Sequence, residues 1–195
     1  MNESRRRFAT ELYVRGRAHD QAHPNRHERY RNLEPATAEL LGVLVRATSA
    51  QRILELGTSN GYSTIWLADA AEATGGRLVS VEIDPARIEL AGQHLGEVGL
   101  DARVELRTED AGHTLSQSDD FAWDFIFLDS ERPAYVGYIA DLVRTLAPAG
   151  VLAVDNVHSH EHELVEFARL IETEHTLTQT VVAVGAGLRL AVRDA

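Results

Sequence analysis

Short aliphatic runs alternate with helical patterns from residue 52 to the end of the chain. The runs are rich in β-branched and aliphatic residues and predict strands, whereas the stretches between them carry apolar residues at helical spacing. The predicted strands are Arg52 to Leu56, Arg77 to Ile83, Ala102 to Leu106, Phe125 to Leu128, Val151 to Val154, Thr176 to Val184 and Leu188 to Val192. The predicted helices are Tyr62 to Glu72, Pro85 to Glu97, Tyr135 to Leu146 and Glu161 to Glu172. This alternation is typical of βα units around a mostly parallel sheet.

The last two predicted strands are separated only by Gly185-Ala186-Gly187, which is too short for a crossover helix. We therefore expect them to form an antiparallel hairpin. The predicted fold class is α/β, with a doubly wound, seven-stranded, mostly parallel sheet that ends in this hairpin. A plain dinucleotide-binding fold would continue with parallel crossovers instead.

The chain is long enough for one hydrophobic core and too short for two ordinary domains, so we expect a single domain over residues 1–195. The segment from Arg15 to Asn32 is polar, rich in His and Arg, and predicted to be loosely structured. After Pro35, the spacing of Leu41, Leu44 and Val45 predicts a helix whose apolar side packs in the core.

Charge and composition exclude several classes of function. The net charge is −11, yet residues 1–31 carry eight arginines against four acidic residues, so the remainder is strongly acidic. An acidic body argues against a nucleic-acid partner. No apolar run approaches the ~20 residues of a membrane span, and no secretory signal is visible, so we expect a cytoplasmic protein without a membrane partner. The absence of cysteine excludes disulfides, thiolate zinc sites and a cysteine nucleophile.

The segment from Ile53 to Ser63 reads as a strand, a glycine turn and the start of a helix. Gly57 and Gly61 allow the backbone to approach a ligand closely, and the helix N-terminus offers free N–H groups to an anionic group such as a carboxylate. The spacing is E-x-G-x-x-x-G, so the dinucleotide fingerprint G-x-G-x-x-G fails at Ser59. A turn that uses glycine only for its geometry would look the same.

Acidic residues follow the next two strands. Glu82 lies at the end of the second strand, where a carboxylate can accept two hydrogen bonds from a ribose diol. Asp110 follows the third strand, where it can meet an adenine amino group. Three successive strand ends would then contact the carboxylate, ribose and base of one nucleoside-containing cofactor.

These motifs resemble the class I S-adenosylmethionine (SAM) dependent methyltransferases, and among them the metal-dependent O-methyltransferases that include catechol and caffeoyl-CoA O-methyltransferases. The resemblance covers roughly residues 33 to 192. It is carried by the run from Glu55 to Thr64, Glu82, Asp110-Ala111, Phe127-Leu128-Asp129 with Tyr135, Asp155-Asn156 and Gly187-Leu188. It implies a Rossmann-like methyltransferase fold and transfer of a methyl group to a hydroxyl of a small molecule.

The resemblance also implies site residues. Glu82 would hold the ribose, and residues of the glycine turn would surround the methionine part of SAM. The implied cofactor-binding set is Glu55, Gly57, Ser59, Gly61, Tyr62, Ser63, Glu82, Asp110, Ala111 and Asp129. In relatives the N-terminal segment, here residues 1–32, covers the acceptor pocket or forms a dimer, so a homodimer is expected around a core of residues 33–195.

Three oxygen-bearing side chains follow the fourth and fifth predicted strands: Asp129, Asp155 and Asn156. Two carboxylates and an amide suit a hard cation such as Mg²⁺, and the resemblance implies the same three ligands. A metal-coordinated hydroxyl loses its proton more readily than a free one. Alternatively, Asp129 caps the next helix and Asp155 merely ends a strand.

The general base of the family is missing here. The family has lysine where this chain has Arg132, and no lysine occurs anywhere in the sequence. Arginine stays protonated and cannot act as the base, although Arg132 can stabilise a negative group of the acceptor or the developing oxyanion. Deprotonation then depends on the metal, on a carboxylate, or on His158 or His160, unless these histidines belong only to a polar loop.

Other functions stay open at this stage. A SAM-binding protein without methyltransferase activity would also explain the missing lysine, and a metal-independent methyltransferase would use a histidine base. An NAD-dependent oxidoreductase is opposed by the glycine spacing and the terminal hairpin. A nucleic-acid methyltransferase is opposed by the acidic body and by the absence of an N-P-P-Y or D-P-P-Y motif.

Overall fold

The computed structural model describes residues 1–158 and 161–195 of the chain. The helices are α1 (Glu3–Ala22), α2 (Pro35–Ala47), α3 (Tyr62–Thr74), α4 (Pro85–Glu97), α5 (Ala111–Gln117), α6 (Tyr135–Thr145) and α7 (Glu161–Ile171). The strands are β1 (Arg52–Leu56), β2 (Arg77–Glu82), β3 (Val104–Thr108), β4 (Trp123–Leu128), β5 (Leu146–Val154), β6 (Leu177–Val182) and β7 (Leu188–Arg193). Short 3₁₀ turns lie at Arg26–Glu28, Asp101–Arg103 and Arg132–Ala134.

The strands form one seven-stranded sheet in the order β3-β2-β1-β4-β5-β7-β6. Strands β1 to β5 are parallel, and β7 runs antiparallel to both β5 and β6. The predicted fold class, including the terminal hairpin, is therefore confirmed. The chain order reverses between β1 and β4, and the carboxyl ends of these two strands lie side by side at the switch point where open α/β sheets bind ligands.

Helices cover both faces of the sheet because successive strand side chains point to opposite sides. Ile53 of β1 packs into one core with residues of α1 to α4, and Leu54 packs into a second core with residues of α5 to α7. In β4, Phe125 and Phe127 belong to the first core, while Ile126 and Leu128 belong to the second. Burial on both faces explains the almost continuous apolar character of these strands.

Several predicted element boundaries were wrong. Residues 15–22, predicted to be loose, form the last two turns of α1, whose Ala9, Leu12 and Gly16 are buried. Helix α5 was not predicted because its seven residues are mostly small or polar. Strand β5 begins at Leu146 rather than Val151, with an irregular register between Trp123 and Phe125 of its partner. In the described ranges, no helix combines the length and apolarity that crossing a membrane would demand.

Candidate active site

A cavity of about 720 Å³ opens at the carboxyl ends of the parallel strands. The predicted site residues that line it are Gly57, Ser59, Tyr62, Ser63, Glu82, Asp110, Ala111, Asp129, Arg132 and Asn156. Glu55, Gly61, Asp155 and His158 are not among its lining residues. The structure thus brings most of the predicted cofactor and metal residues to one cavity, although they are spread over one hundred residues of sequence.

The glycine turn brings the loop after β1 against the loop after β4. Gly57 has φ +112°, and a Cβ built on it would lie 2.2 Å from the carbonyl oxygen of Asp129. Gly61 has φ +83° and begins α3, and a Cβ there would lie 3.0 Å from Cβ of Ala91 in α4. A side chain at either position would push these elements apart, so both glycines are required by packing as well as by backbone conformation.

Glu55 stabilises the glycine turn through hydrogen bonds and is not among the residues that line the cavity. Its carboxylate is fully buried and accepts hydrogen bonds from Ser63 Oγ at 2.5 Å, Thr64 Oγ1 at 2.6 Å and Ser80 Oγ at 2.6 Å. Burial raises the pKa of Glu55 to about 7, although the three hydroxyl donors act to lower it. Its contact with a cofactor stays a prediction, while its structural role in joining β1, β2 and α3 is evident.

Replacing Glu55 with Gln is expected to change how stability depends on pH. Because the pKa of the folded-state carboxyl is raised to about 7, the folded protein binds a proton that the unfolded chain has released. The contribution of the Glu55 carboxyl to the unfolding free energy of the wild type therefore falls as pH rises from about 4.5 to 7, and it is fully lost above that range. Glu55→Gln should remove a loss of about 3 kcal/mol across this window.

Urea unfolding of both proteins at pH 5 and pH 8 measures this effect. The difference in unfolding free energy between wild type and Glu55→Gln should shift in favour of the variant at pH 8. Glu105→Gln is the matched control, because Glu105 is exposed and pairs with Arg107 at the surface. An equal pH dependence in wild type and Glu55→Gln would show that Glu55 ionises normally.

Glu82 and Asp110 line the cavity in the order expected for ribose and base. Glu82 accepts hydrogen bonds from the backbone N–H of Ser59 at 3.0 Å, of Ile83 at 3.0 Å and of Asp84 at 3.2 Å. Its carboxylate is thereby fixed between the ends of β1 and β2. Asp110 caps α5, accepting from the backbone N–H of His113 at 3.0 Å, next to Ala111.

Asp129, Asp155 and Asn156 form one polar cluster between the ends of β4 and β5. Asn156 Nδ2 donates to Asp129 Oδ1 at 3.0 Å and to Asp155 Oδ2 at 3.1 Å. Burial raises the pKa of both carboxyls, and the charge of Asp129 raises that of Asp155 further. Asp129 is thus not merely a helix cap, because an amide from the neighbouring strand bridges it to a second buried carboxyl.

The cluster fits a hard cation. Asp155 Oδ1 is buried and has no hydrogen-bond partner within residues 1–158 and 161–195. Asn156 adopts φ +66°, a left-handed conformation that Asn tolerates, and this conformation brings its amide over the two carboxylates. In the same part of the chain, no group of three or more His, Cys, Asp and Glu side chains is placed to hold a metal. A cation here would therefore need the amide oxygen of Asn156 as its third protein ligand, in place of the N–H donors that face the two carboxylates.

Arg132 and His158 occupy different surroundings. The Arg132 side chain is 4% exposed, lines the cavity and donates from Nε to Glu163 Oε2 at 2.6 Å. Its positive charge acts to lower the pKa of Asp129. His158 is exposed, and its ring lies against Gly187 of the β6–β7 hairpin. His160, the other candidate base, lies outside the described residues.

The segment 26–33 forms one wall of the cavity. The resemblance implied that the N-terminal segment covers the acceptor pocket or forms a dimer, but the residues of this wall were not identified from the sequence. Ser59 Oγ donates to the Tyr30 carbonyl at 2.8 Å, and Asp20 accepts from the backbone N–H of Tyr30 and of Arg31. Arg31 also pairs with Glu131 at 2.7 Å, across the cavity mouth. We call residues 26–33 the lid. Its arginines and histidines, in a chain that is otherwise acidic, are the sequence signal that could have identified this contact.

Comparison with known proteins agrees with this geometry. The family model described as O-methyltransferase matches residues 21–194. A catechol O-methyltransferase of Niastella koreensis is 35% identical over 129 residues, which cover 65% of this chain and 58% of that protein. The matched stretch thus spans little more than half of that relative.

Two solved structures share the fold over the whole chain. An O-methyltransferase from Bacillus cereus in complex with SAH is 28% identical with a TM-score of 0.80, covering 100% of this chain and 92% of that one. The O-methyltransferase TomG from Streptomyces achromogenes, in complex with SAM and involved in tomaymycin synthesis, is 26% identical with a TM-score of 0.77, covering 100% and 91%. With the family match over residues 21–194, these findings show that the chain belongs to the O-methyltransferase family.

Proposed function

We propose that this protein transfers the methyl group of SAM to a hydroxyl of a small molecule, with a divalent cation at Asp129, Asp155 and Asn156. The observation that carries the proposal is the order of groups along one cavity. Asp110, Glu82, the glycine turn and Asp129 follow one another across the ends of the adjacent strands β3, β2, β1 and β4. The Bacillus cereus and Streptomyces achromogenes relatives, solved with SAH and SAM, support this cofactor.

The cofactor would lie across the switch point with each part against a different strand end. Glu82 would accept from the ribose hydroxyls, Asp110 and Ala111 would border the adenine, and Gly57 with Tyr62 would border the methionine part. The sulfonium would then lie near Asp129, whose carboxylate favours a positive charge. In the reaction, the acceptor oxygen bonds to the methyl carbon as the carbon–sulfur bond breaks, yielding SAH, a methyl ether and a proton.

The acceptor hydroxyl must be held in line with the methyl group and must lose its proton. Asp129, Asp155 and Asn156 would hold the cation, which would supply Lewis-acid activation of the acceptor hydroxyl. Arg132 adds a fixed positive charge beside Asp129, suited to an oxyanion or a negative acceptor group. His158 lies away from the cavity lining, so its exposed position does not favour it as the base.

The activity is tested with SAM, Mg²⁺ and a panel of catechols and other phenols, with SAH formation followed by mass spectrometry. Turnover that needs both SAM and Mg²⁺ is expected. Binding of SAM without turnover on any acceptor would favour a SAM-binding protein instead. Turnover that a chelator does not change would support a methyltransferase but contradict the proposed metal site.

Glu82→Gln is expected to weaken SAH binding by about 10-fold, because a neutral amide accepts more weakly than a carboxylate from the ribose hydroxyls. Isothermal titration of SAH into both proteins measures the change. Asp84→Asn is the control: Asp84 also lies beside the cavity but caps α4 through the backbone N–H of Ala86. Equal affinity of wild type and Glu82→Gln would place the ribose elsewhere.

Three further expectations stay predictions: a homodimer, a cytoplasmic location and a single domain over residues 1–195. Light scattering after gel filtration measures the first, and limited proteolysis measures the third. The small-molecule acceptor is favoured by the size of the cavity, since about 720 Å³ must hold the cofactor as well.

A further inference from the structure

Arg132 is a buried guanidinium beside the cavity that uses only part of its hydrogen-bonding capacity. It lies in the 3₁₀ turn after β4, and its side chain lines the cavity although it is only 4% exposed. Nε donates to Glu163 Oε2 at 2.6 Å. The terminal nitrogens, Nη1 and Nη2, make no hydrogen bond with any residue that the structure describes, and neither is fully enclosed. Of the five N–H donors of this side chain, four are therefore unused.

The ion pairs around Arg132 leave one positive charge in excess. Arg26 of the lid pairs with Glu131 and with Glu163, each at 3.4 Å, and Arg31 of the lid pairs with Glu131 at 2.7 Å. Three arginines thus share two glutamates. A divalent cation would balance the two carboxylates of the proposed metal site, so those acids do not neutralise the remaining charge. Because a buried charge is unfavourable unless it is paired, the arrangement favours an anionic partner from a ligand.

The unused donors of Arg132 have the geometry of a carboxylate site. Glu163 occupies Nε, which leaves the edge where Nη1 and Nη2 each present an N–H in parallel. A carboxylate accepts both hydrogen bonds at once with its two oxygens, whereas a single phenolate oxygen does not match the fork. A phosphate also has two suitable oxygens, but its charge of about −2 exceeds the one positive charge in excess.

The position of Arg132 relates this carboxylate site to the reacting hydroxyl. Arg132 follows Asp129 by three residues in the loop after β4, and both residues line the cavity. The charge of Arg132 acts to lower the pKa of the Asp129 carboxyl, so the two side chains are close enough to interact electrostatically. A small molecule whose hydroxyl lies at the proposed metal ligands can therefore present a second group to Arg132.

We infer that the methyl acceptor is a small molecule that carries a carboxylate as well as the hydroxyl, and that this carboxylate pairs with Nη1 and Nη2 of Arg132. The inference rests on the proposed function, since it assumes that the hydroxyl is methylated in this cavity. Arg132 selects the acceptor by its charge. Glu163 is a positioning residue that holds Nε, and Arg26 connects the lid to the same group of charges.

The test compares acceptors that have the same shape and differ in charge. The compounds 2,3- and 3,4-dihydroxybenzoate carry the carboxylate, whereas the matching dihydroxybenzamides are neutral. With SAM and Mg²⁺, the kcat/KM of wild type for one of the benzoates should be at least about 10-fold higher than for its amide. Titration of both compounds into the SAH-bound protein should give a similar ratio of Kd values. Arg132→Gln should bring both ratios to about 1, because the amide side chain offers no charge and no fork.

Arg169→Gln is the control and should keep the wild-type ratios, because Arg169 is exposed on α7 and pairs with Glu166 away from the cavity lining. No preference for a benzoate in wild type, or equal loss of benzoate and amide turnover in Arg132→Gln, would overturn the inference. If Arg132→Gln unfolds, Arg132→Lys decides: an ammonium lacks the planar fork, so the ratio should fall at least about 3-fold, and an unchanged ratio would overturn the inference. Wild type that binds no SAH would instead contradict the proposed function itself.

Discussion

Asp155→Asn is expected to lower methyl transfer by about 100-fold or more while leaving the metal-free protein more stable than wild type. Asp155 and Asp129 are both buried, and a single amide, that of Asn156, bridges them. Without a cation, two neighbouring carboxylates repel each other, and Asp155 Oδ1 has no partner in the described ranges. Removing one negative charge should raise the unfolding free energy by about 1 kcal/mol.

Thermal unfolding with EDTA and with Mg²⁺, together with turnover on an active acceptor, measures both effects. Mg²⁺ should raise the unfolding temperature of wild type and leave that of Asp155→Asn unchanged. Asp124→Asn is the control and should lower the unfolding free energy instead of raising it. Asp124 pairs with Arg52 at 2.5 Å and accepts from the backbone N–H of Gln51 and Arg52. A destabilised Asp155→Asn with full turnover would show that the cluster holds no metal.

The fold was predictable because its parallel strands are buried on both faces and appear in the sequence as short continuous apolar runs. The terminal hairpin was predictable because three residues cannot accommodate a crossover helix. Strand-end acids such as Glu82 and Asp129 were predictable as parts of one site, since the carboxyl ends of parallel strands lie at one edge of the sheet. Local pattern and topology together were enough for these features.

The identity of the lid residues was not predictable from local pattern. Residues 15–22 read as a loose polar segment, yet they complete α1, because Gly16 is buried against Asn32 and Asn60. That contact joins residues far apart in sequence and has no periodicity of its own. The role of Glu55 was likewise hidden, since its three hydroxyl partners come from two different elements, and only the folded chain shows that it faces away from the cavity.

Gly57→Ala is expected to cost about 3 kcal/mol of stability and to abolish detectable SAH binding. Two penalties combine at this position. The backbone has φ +112°, where a residue with a side chain is strained, and the added methyl carbon would lie 2.2 Å from the carbonyl oxygen of Asp129. The obstructing atom belongs to the backbone and cannot rotate away, so the loops after β1 and β4 must separate. Asp129 would move with its loop, disturbing the cofactor and metal sites together.

Gly75→Ala separates the two penalties. Gly75 also has a positive φ of +75°, at the end of α3, but a Cβ built there meets nothing within 4 Å. It should cost about 1 kcal/mol through backbone strain alone and leave SAH affinity unchanged. Urea unfolding and titration of SAH into both variants measure the difference. If Gly57→Ala were no worse than Gly75→Ala in both measurements, close contact between the β1 and β4 loops would not be what shapes the site.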